Sequence, residues 1–100
     1  MDDKERSGIH LITDERERQI NEELWDSGHD DEHDEEEIAF AAVCYAMPTS
    51  ARKMNSNGDA PYYWPWDSYY WKPSNRIRDL VKAAALIAAE IDRIQRQRRR

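Results

Sequence analysis

The C-terminal segment 76-RIRDLVKAAALIAAEIDRIQRQ-97 decides the fold. Its apolar side chains recur at alternating steps of three and four residues, the spacing of one helix face and of a coiled-coil seam. Ser74 or Asn75 precedes the run and can cap a helix. We therefore predict a helix from about Arg76 to Gln97. Its apolar stripe should pack against the second helix or against a second copy of the chain, and it consists of Ile77, Leu80, Ala84, Ile87, Ile91 and Ile94.

A second helix is predicted upstream, from a start near 31–34 to Met47, where the following proline ends it. Its first turns, 30-DDEHDEEE-37, are rich in carboxylates, which the positive end of a helix dipole favours. The rest, 38-IAFAAVCYAM-47, is apolar and contains small alanines that let another helix approach closely. This helix should be buried, and Cys44, the only cysteine of the chain, should be a packed thiol rather than a nucleophile.

A shorter helix is predicted nearer the N-terminus. Thr13 can cap it, and the helix should run to about Leu24 or Trp25 before Gly28 stops it. Ile20 and Leu24 lie four residues apart and would share one face of this helix.

The remaining segments predict irregular structure. Residues 1–8 have no apolar periodicity and should form a loose tail, and residues 98–100 a basic one. The turn-rich composition of 48-PTSARKMNSNGDAP-61 predicts a mobile loop. Residues 1–100 are therefore expected to form a single, mainly all-α domain with two long helices, a shorter N-terminal helix and an aromatic-rich connector.

The connector contains the sequence 62-YYWPWDSYYWKP-73. Ile, Leu, Val and Phe number only 15 in 100 residues, so tryptophan and tyrosine must supply part of the core. We expect Trp64, Trp66 and Trp71 to cover the two long helices. One face of the connector can also stay open, so that a base or a partner's side chain stacks on it while a cation takes a phosphate. The candidate ligand-binding residues are Trp64, Trp66, Asp67, Tyr70, Lys72 and Arg76.

Charge is divided unevenly along the chain. Residues 1–37 have a net charge of -12 and residues 38–100 a net charge of +6, so the two parts should attract each other. The basic run 96-RQRRR-100 is only a weak sign of nucleic-acid binding, because the rest of the chain is acidic. We therefore do not expect a nucleic-acid partner. The longest apolar run, 83-AAALIAA-89, is too short to span a bilayer, and no signal-peptide pattern is present. We therefore expect a cytoplasmic protein without a membrane partner.

Three parts of the sequence resemble a group of short, mostly uncharacterised proteins encoded by phages and prophages. The family pattern reads HDDxH, WPWDxxWWKP and RDLVKAGALIxAEIxR, and this chain has Tyr70 and Ala84 where Trp and Gly are usual. The resemblance implies a phage or prophage origin and an accessory role inside the host bacterial cell, and it assigns no catalytic residue. The matching segments are 15-ERERQI-20 with 29-HDDEH-33, 64-WPWDSYYWKP-73 and 78-RDLVKAAALIAAEIDR-93.

The cluster 29-HDDEHDEEE-37 is a candidate divalent-metal site. On a helix, His29, His33 and Glu37 follow one another at steps of four, and imidazole with carboxylate on one face suits zinc or manganese. A second segment would have to add a ligand, for which Asp79 or Asp67 is the candidate. The alternative is a helix N-terminus whose side chains make hydrogen bonds within the fold.

Two enzyme resemblances are weaker. His29 and Asp30, with His10 and Asp79, can be compared with the ligands of HD phosphohydrolases. The acidic pairs 22–23 and 36–37 can be compared with those of the all-helical nucleotide pyrophosphatases, which hold magnesium. Neither pattern matches cleanly, and no nucleophilic triad or glycine-rich phosphate loop is present. We expect an accessory protein that binds a host protein or a nucleotide-type ligand, with counter-defence as a natural role. The alternative is a small metal-dependent nucleotide phosphohydrolase.

Overall fold

Four α-helices and two single-turn 3-10 helices form the part of the chain that the computed structural model describes, residues 6–23 and 25–99. These residues contain no β-strand, and the predicted mainly all-α fold with two long helices is confirmed. No helix within these ranges combines the length and the apolar character needed to cross a membrane. The elements are α1 (Gly8–Asn21), α2 (Ser27–Asp31), α3 (Glu37–Ala46), a 3-10 turn at Thr49–Ala51, another at Ser68–Tyr70, and α4 (Arg76–Arg98).

Helix α4 is the element on which the other three helices pack. Asn75 caps it as predicted, because its side-chain oxygen accepts a hydrogen bond from the Arg78 N–H at 2.9 Å. Asp79 lies in the first turn, where the helix dipole favours a negative charge. The predicted bounds of this helix are correct to within one residue.

Small side chains bring α3 and α4 together. Ala41 and Ala42 of α3 and Ala83 and Ala89 of α4 belong to one buried cluster, and none is more than 2% exposed. Because alanine ends at its Cβ atom, the two backbones can lie close together, and a few larger side chains such as Leu86 fill the remaining space. The helix predicted at 38–47 is confirmed as far as Ala46, and it is buried on one face, whereas Phe40 and Val43 on its other side are 43% and 47% exposed.

The predicted apolar stripe of α4 does not pack against α3. Ile77, Leu80, Ile87 and Ile91 are 61%, 44%, 49% and 51% exposed. Of the two alternatives predicted for this stripe, contact with the second helix is wrong, because the close approach of α3 to α4 suits alanine and not isoleucine. The buried face contains Asp79, Val81, Ala83, Ala85, Leu86, Ala89, Glu90 and Arg93.

The cap of helix α1 lies six residues before the predicted one. Ser7 is the cap, and its Oγ atom accepts a hydrogen bond from the His10 N–H at 3.2 Å. Thr13 lies inside the helix and donates its hydroxyl to the Ile9 carbonyl at 2.9 Å. The earlier start adds the turn that contains Leu11, which is buried.

Helix α1 ends at Asn21, so the predicted end at 24 or 25 is too late. Parts of the predicted helix and of the predicted tails lie outside the described residues, namely Leu24, residues 1–5 and residue 100. The predicted apolar face is also wrong, because Ile20 is 37% exposed while Glu15 and Gln19 are buried. Polar residues can occupy this face because Arg78 of α4 forms an ion pair with Glu15 of α1. Arg78 Nη2 lies 2.7 Å from Glu15 Oε1.

Two helices replace the single helix predicted from 31–34 to Met47. Asp26 caps α2 by accepting a hydrogen bond from the His29 N–H at 3.0 Å, and Gly28 lies inside this helix and does not stop it. Glu36 has φ 70°, a left-handed conformation that interrupts the helix before α3 begins at Glu37. The run of carboxylates is thereby divided between two helix starts and the turn between them, which separates like charges.

Residues 48–61 turn back on themselves. The Asn55 N–H donates to the Ala60 carbonyl at 2.8 Å, and the Tyr62 N–H donates to the Lys53 carbonyl at 2.7 Å. Gly58 has φ 74°, which glycine adopts without steric cost, and it allows the tight reversal. Ala60 is 1% exposed, so the far side of this turn reaches the core.

The tryptophans of the connector face inward and its tyrosines face outward. Trp64 is 9% exposed, and Trp66 and Trp71 pack against the cluster formed by α3 and α4, as predicted. Tyr45 of α3 meets Trp64 edge to face, with ring centroids 5.6 Å apart. The exposed rings are Tyr62, Tyr63, Tyr69 and Tyr70.

The buried ion pair of Arg52 and Asp79 connects the end of α3 to the start of α4. Arg52 Nη2 lies 3.0 Å from Asp79 Oδ2, and these side chains are 7% and 3% exposed. The same guanidinium donates to the carbonyl oxygens of Cys44 and Tyr45, both at 3.0 Å, which otherwise lack helical partners at the end of α3. It also lies 5.1 Å from the centroid of the Trp71 ring.

Arg52→Ala is expected to lower the free energy of unfolding by about 3 kcal/mol, because it leaves the Asp79 carboxylate buried without a counter-charge. Chemical denaturation measures this. The control is Glu23→Gln, which removes the partner of Arg18 in an ion pair whose side chains are 36% and 45% exposed. That change should cost less than about 1 kcal/mol. Equal losses in the two variants would contradict the role given to the buried pair.

The thiol of Cys44 should be unreactive in the folded protein. Burial raises its pKa to about 11, and the nearby positive charge of Arg52 offsets this only in part. At pH 8 the thiolate, which is the reacting form, should therefore be about a hundredfold scarcer than in an exposed cysteine. Labelling with a disulfide reagent should be slow in the native protein and fast in denaturant. Rapid labelling without denaturant would contradict the burial.

Candidate ligand-binding pocket

A pocket of about 490 Å³ opens between the segment around α2 and the aromatic connector. Its volume is within the range of about 300 to 1,000 Å³ that is usual for small-molecule sites. The residues that line it come from 25–33 and 66–70, which are far apart in the sequence. They are Trp25, His29, His33, Trp66, Asp67 and Tyr70.

The first wall of the pocket is built around α2. Because Asp26 caps this helix, Trp25 lies just before it and His29 one turn further on, and their rings stack with centroids 6.0 Å apart and planes at 11°. His33 follows four residues later, and its ring meets that of His29 edge to face at 4.9 Å. Three consecutive rings therefore line this side.

The second wall is the connector from Trp66 to Tyr70. Trp66 packs edge to face on the buried Trp64 at 5.3 Å and lies 5.2 Å from the ring of His33, so it joins the two walls. Asp67 caps the 3-10 turn by accepting a hydrogen bond from the Tyr69 N–H at 2.8 Å. Tyr70 is 59% exposed and forms the rim.

Each imidazole in the pocket has a carboxylate next to its Nδ1 atom. His29 Nδ1 lies 3.3 Å from Asp30 Oδ1, and His33 Nδ1 lies 3.0 Å from Glu37 Oε2. Asp30 is buried, and its other oxygen accepts a hydrogen bond from Arg16 at 2.9 Å. These contacts fix the orientation of both rings.

The pocket has a negative electrostatic environment. Burial opposes ionisation of Glu37, but hydrogen bonds from the Glu35 N–H and from His33 outweigh it and hold the pKa of Glu37 below its usual value. Glu37 is therefore charged at neutral pH, and Asp67 adds a carboxylate to the lining itself. Among the described residues, no Lys or Arg lines the pocket.

Three of the six predicted ligand-binding residues line this pocket: Trp66, Asp67 and Tyr70. Trp64 lies behind them in the core, where its indole N–H donates to the Asp67 carbonyl at 3.0 Å. Trp64 therefore supports the connector from inside and does not line the pocket.

The two predicted cations lie elsewhere. The Lys72 ammonium sits 4.3 Å from the centroid of the Tyr69 ring, and neither residue lines the pocket. The Arg76 guanidinium donates to the carbonyl oxygens of Ala46 and Met47 and so closes the C-terminal end of α3. The expected pairing of an open aromatic face with a phosphate-binding cation is not present at this pocket.

The four predicted metal ligands are only partly brought together. His29 and His33 lie side by side in the pocket, and Glu37 contacts His33. Asp79 belongs to the buried pair with Arg52, and it also accepts a hydrogen bond from the Ser74 N–H at 2.7 Å. Within residues 6–23 and 25–99, no group of three or more His, Cys, Asp or Glu side chains is arranged to hold a metal ion.

Trp25 is the pocket residue that the sequence reasoning missed. It was assigned to the end of the first helix, whereas it stands just before the cap of α2. A signal was present in the sequence, because Asp26 is a good helix cap. A helix that starts after Asp26 sets Trp25 just before its first turn and His29 within that turn, so the two rings can meet.

Most charged residues of the segments 15–20, 29–33, 64–73 and 78–93 form ion pairs within the fold. Glu15 pairs with Arg18 and Arg78, Arg16 with Asp30, Arg52 with Asp79, and Glu90 with Arg93. The polar side chains of these segments that face the pocket are His29, His33 and Asp67.

No protein-family model, curated protein or solved structure matched this chain.

Proposed function

We propose that this protein acts by binding, and that its pocket takes a planar or methylated cationic group presented by a partner protein. The guanidinium of an arginine side chain and a methylated lysine ammonium are two such groups that proteins carry. The observation behind the proposal is the lining itself, which, as far as residues 6–23 and 25–99 show it, combines aromatic rings and a carboxylate without a lysine or arginine.

Aromatic rings favour such a ligand because a cation is attracted to the negative face of a ring. Trp25 and Trp66 meet at 49° with centroids 6.4 Å apart, and Tyr70 completes the lining, so a ligand entering the pocket contacts rings on more than one side. Asp67 at the same opening supplies a full negative charge. Each ring typically contributes about 0.5 to 1 kcal/mol when exposed and about 2 kcal/mol when desolvated.

A nucleotide is a less suitable ligand for this pocket. Its base could stack on the rings, but its phosphates need cations or backbone N–H groups at a helix start. Lys72 and Arg76, the cations expected for this role, make their contacts outside the pocket. Glu37 and Asp67 would repel a phosphate.

A metal-dependent hydrolase is likewise less favoured. Such an enzyme holds its metal with at least three protein ligands in most catalytic sites, and the described residues contain no such group. His29 and His33 contribute to the pocket as rings that face its interior.

The resemblance to phage and prophage proteins makes a protein of the bacterial host the natural partner in this proposal. The binding would then take place in the bacterial cytoplasm, and interference with a host defence is one role it would serve. Self-association through α4, expected from the sequence, is a separate proposal because it uses a different surface from the pocket.

Tyr70→Ala is expected to weaken binding of N-acetyl-arginine amide by about fivefold, since it removes one ring from the rim. The binding is measured by an NMR titration that follows the indole N–H signals of Trp25 and Trp66. Tyr62→Ala is the matched control, because Tyr62 is 64% exposed, close to the 59% of Tyr70, but lies outside the pocket. Equal weakening by both variants, or no shift of either indole signal, would contradict the proposal.

Asp67→Asn should weaken binding of the same arginine derivative by several-fold and make it less sensitive to salt. Asparagine can still accept the Tyr69 N–H hydrogen bond, so the 3-10 turn is retained while the charge is lost. Adenosine monophosphate is titrated in parallel. If the substitution strengthens binding of the nucleotide and the arginine derivative does not bind, the ligand class proposed here is wrong.

A further inference from the structure

The exposed stripe of α4 is an apolar surface that the described residues leave largely uncovered. Five of its six members are large aliphatic residues, a third of the 15 Ile, Leu, Val and Phe residues in the chain. Four of them are between 44% and 61% exposed. A contiguous apolar surface of this kind, on a chain so poor in aliphatic residues, is the mark of an interface.

We propose that this stripe is the interface of an antiparallel homodimer, in which the α4 helices of two copies pack along their length. This proposed interface is a different surface from the pocket, and the proposal does not depend on what the pocket binds. The stripe extends from Ile77 to Ile94, about five helical turns, and no polar residue interrupts it at the seam positions.

The spacing of the stripe makes it complementary to itself. Its steps are 3, 4, 3, 4 and 3 residues, and this series reads the same in both directions. In an antiparallel pair centred between Ala84 and Ile87, every seam position therefore meets a seam position of the partner subunit. Ile77 faces Ile94 of the partner subunit, Leu80 faces its Ile91, and the small Ala84 faces its Ile87.

The distribution of charge favours the antiparallel orientation. Arg98 falls at the next seam position after Ile94, and it belongs to the basic run 96-RQRRR-100. A parallel pair would bring two such runs together at one end. An antiparallel pair separates the two runs by about 30 Å at 1.5 Å per residue, more than the Debye length of about 8 Å at physiological salt. Each run then lies near Lys72 and Arg76 of the partner subunit, which are fewer cations than a second basic run would bring.

The residues beside the seam do not oppose a second copy. Val81 and Ala88 flank it without charge, and Glu90 is held in an ion pair with Arg93, 2.6 Å from Glu90 Oε1 to Arg93 Nε. A different protein would need a matching seam of its own, whereas a second copy has one.

Sedimentation equilibrium tests the interface. The unchanged protein should have twice the chain mass at micromolar concentration, and Ile87→Glu should have the mass of one chain while keeping its helical circular dichroism. Ile87 is about half exposed in one chain, so this substitution should not unfold it. Ile9→Glu is the matched control: Ile9 is 72% exposed on α1, and this variant should remain a dimer. A monomeric unchanged protein, or an Ile87→Glu variant that stays dimeric, would overturn the proposal.

Disulfide trapping tests the orientation. Two proteins are prepared with Cys44→Ser, one also carrying Ala84→Cys and the other Ile87→Cys, and they are oxidised alone and as a mixture. The antiparallel pair predicts a crosslinked dimer mainly in the mixture, because residue 84 faces residue 87 of the partner subunit. Efficient crosslinking of each protein alone indicates a parallel pair and would overturn the proposed arrangement. Titration of the Ile87→Glu variant with N-acetyl-arginine amide separates this proposal from the proposed function. Because Ile87 does not line the pocket, the variant should bind the arginine derivative as the unchanged protein does.

Discussion

The close contact of alanine with alanine between α3 and α4 is the constraint on which the rest of the structure depends. With 15 Ile, Leu, Val and Phe residues in 100, the chain cannot fill a wide space between helices. Ala41, Ala42, Ala83 and Ala89 instead narrow that space. The tryptophans then cover the open side of the helix pair, and the connector must lie where the pocket forms.

A narrow helix contact also explains why charged residues are buried. The face of α4 that fits against α3 and α1 includes Asp79, Glu90 and Arg93, and each has an ion-pair partner within the fold. A buried pair seldom adds much stability over apolar side chains of the same size, but losing one member is costly. A pair that joins two helices, unlike the Glu90–Arg93 pair within α4, can form in only one arrangement of those helices. Glu15 with Arg78, for example, is satisfied only when α1 lies against the start of α4.

The sequence predicted the helical fold, the extent of α4, the buried α3 and the inward tryptophans, because periodicity and composition report these directly. It failed where two patterns competed. Ser7 and Thr13 are both good caps, and only the packing of Leu11 decides between them. The periodicity of the α4 stripe allows either the second helix or a second copy as its partner, and the helix is excluded by the exposure of the stripe, because apolar periodicity identifies a face but not what covers it. For the site, the sequence identified His29, His33, Trp66, Asp67 and Tyr70 in two separate groups. That these groups meet depends on the turn at Glu36 and on the path of the connector, which no local pattern encodes.

The pocket and the apolar stripe lie on different elements, and this has a consequence for binding. The stripe belongs entirely to α4, whereas the pocket is lined from α2, the residues next to it and the connector. None of the six pocket residues belongs to the stripe, so a dimer formed through the stripe would contain two pockets whose lining residues take no part in the seam. A partner with two cationic side chains, or a dimeric partner, could then occupy both pockets. Once the first side chain is bound, the second binds without a further loss of translational freedom. One pocket with a few rings supports only weak binding of a single side chain, so two pockets on a rigid dimer are the simplest route from that weak contact to tight capture of a protein.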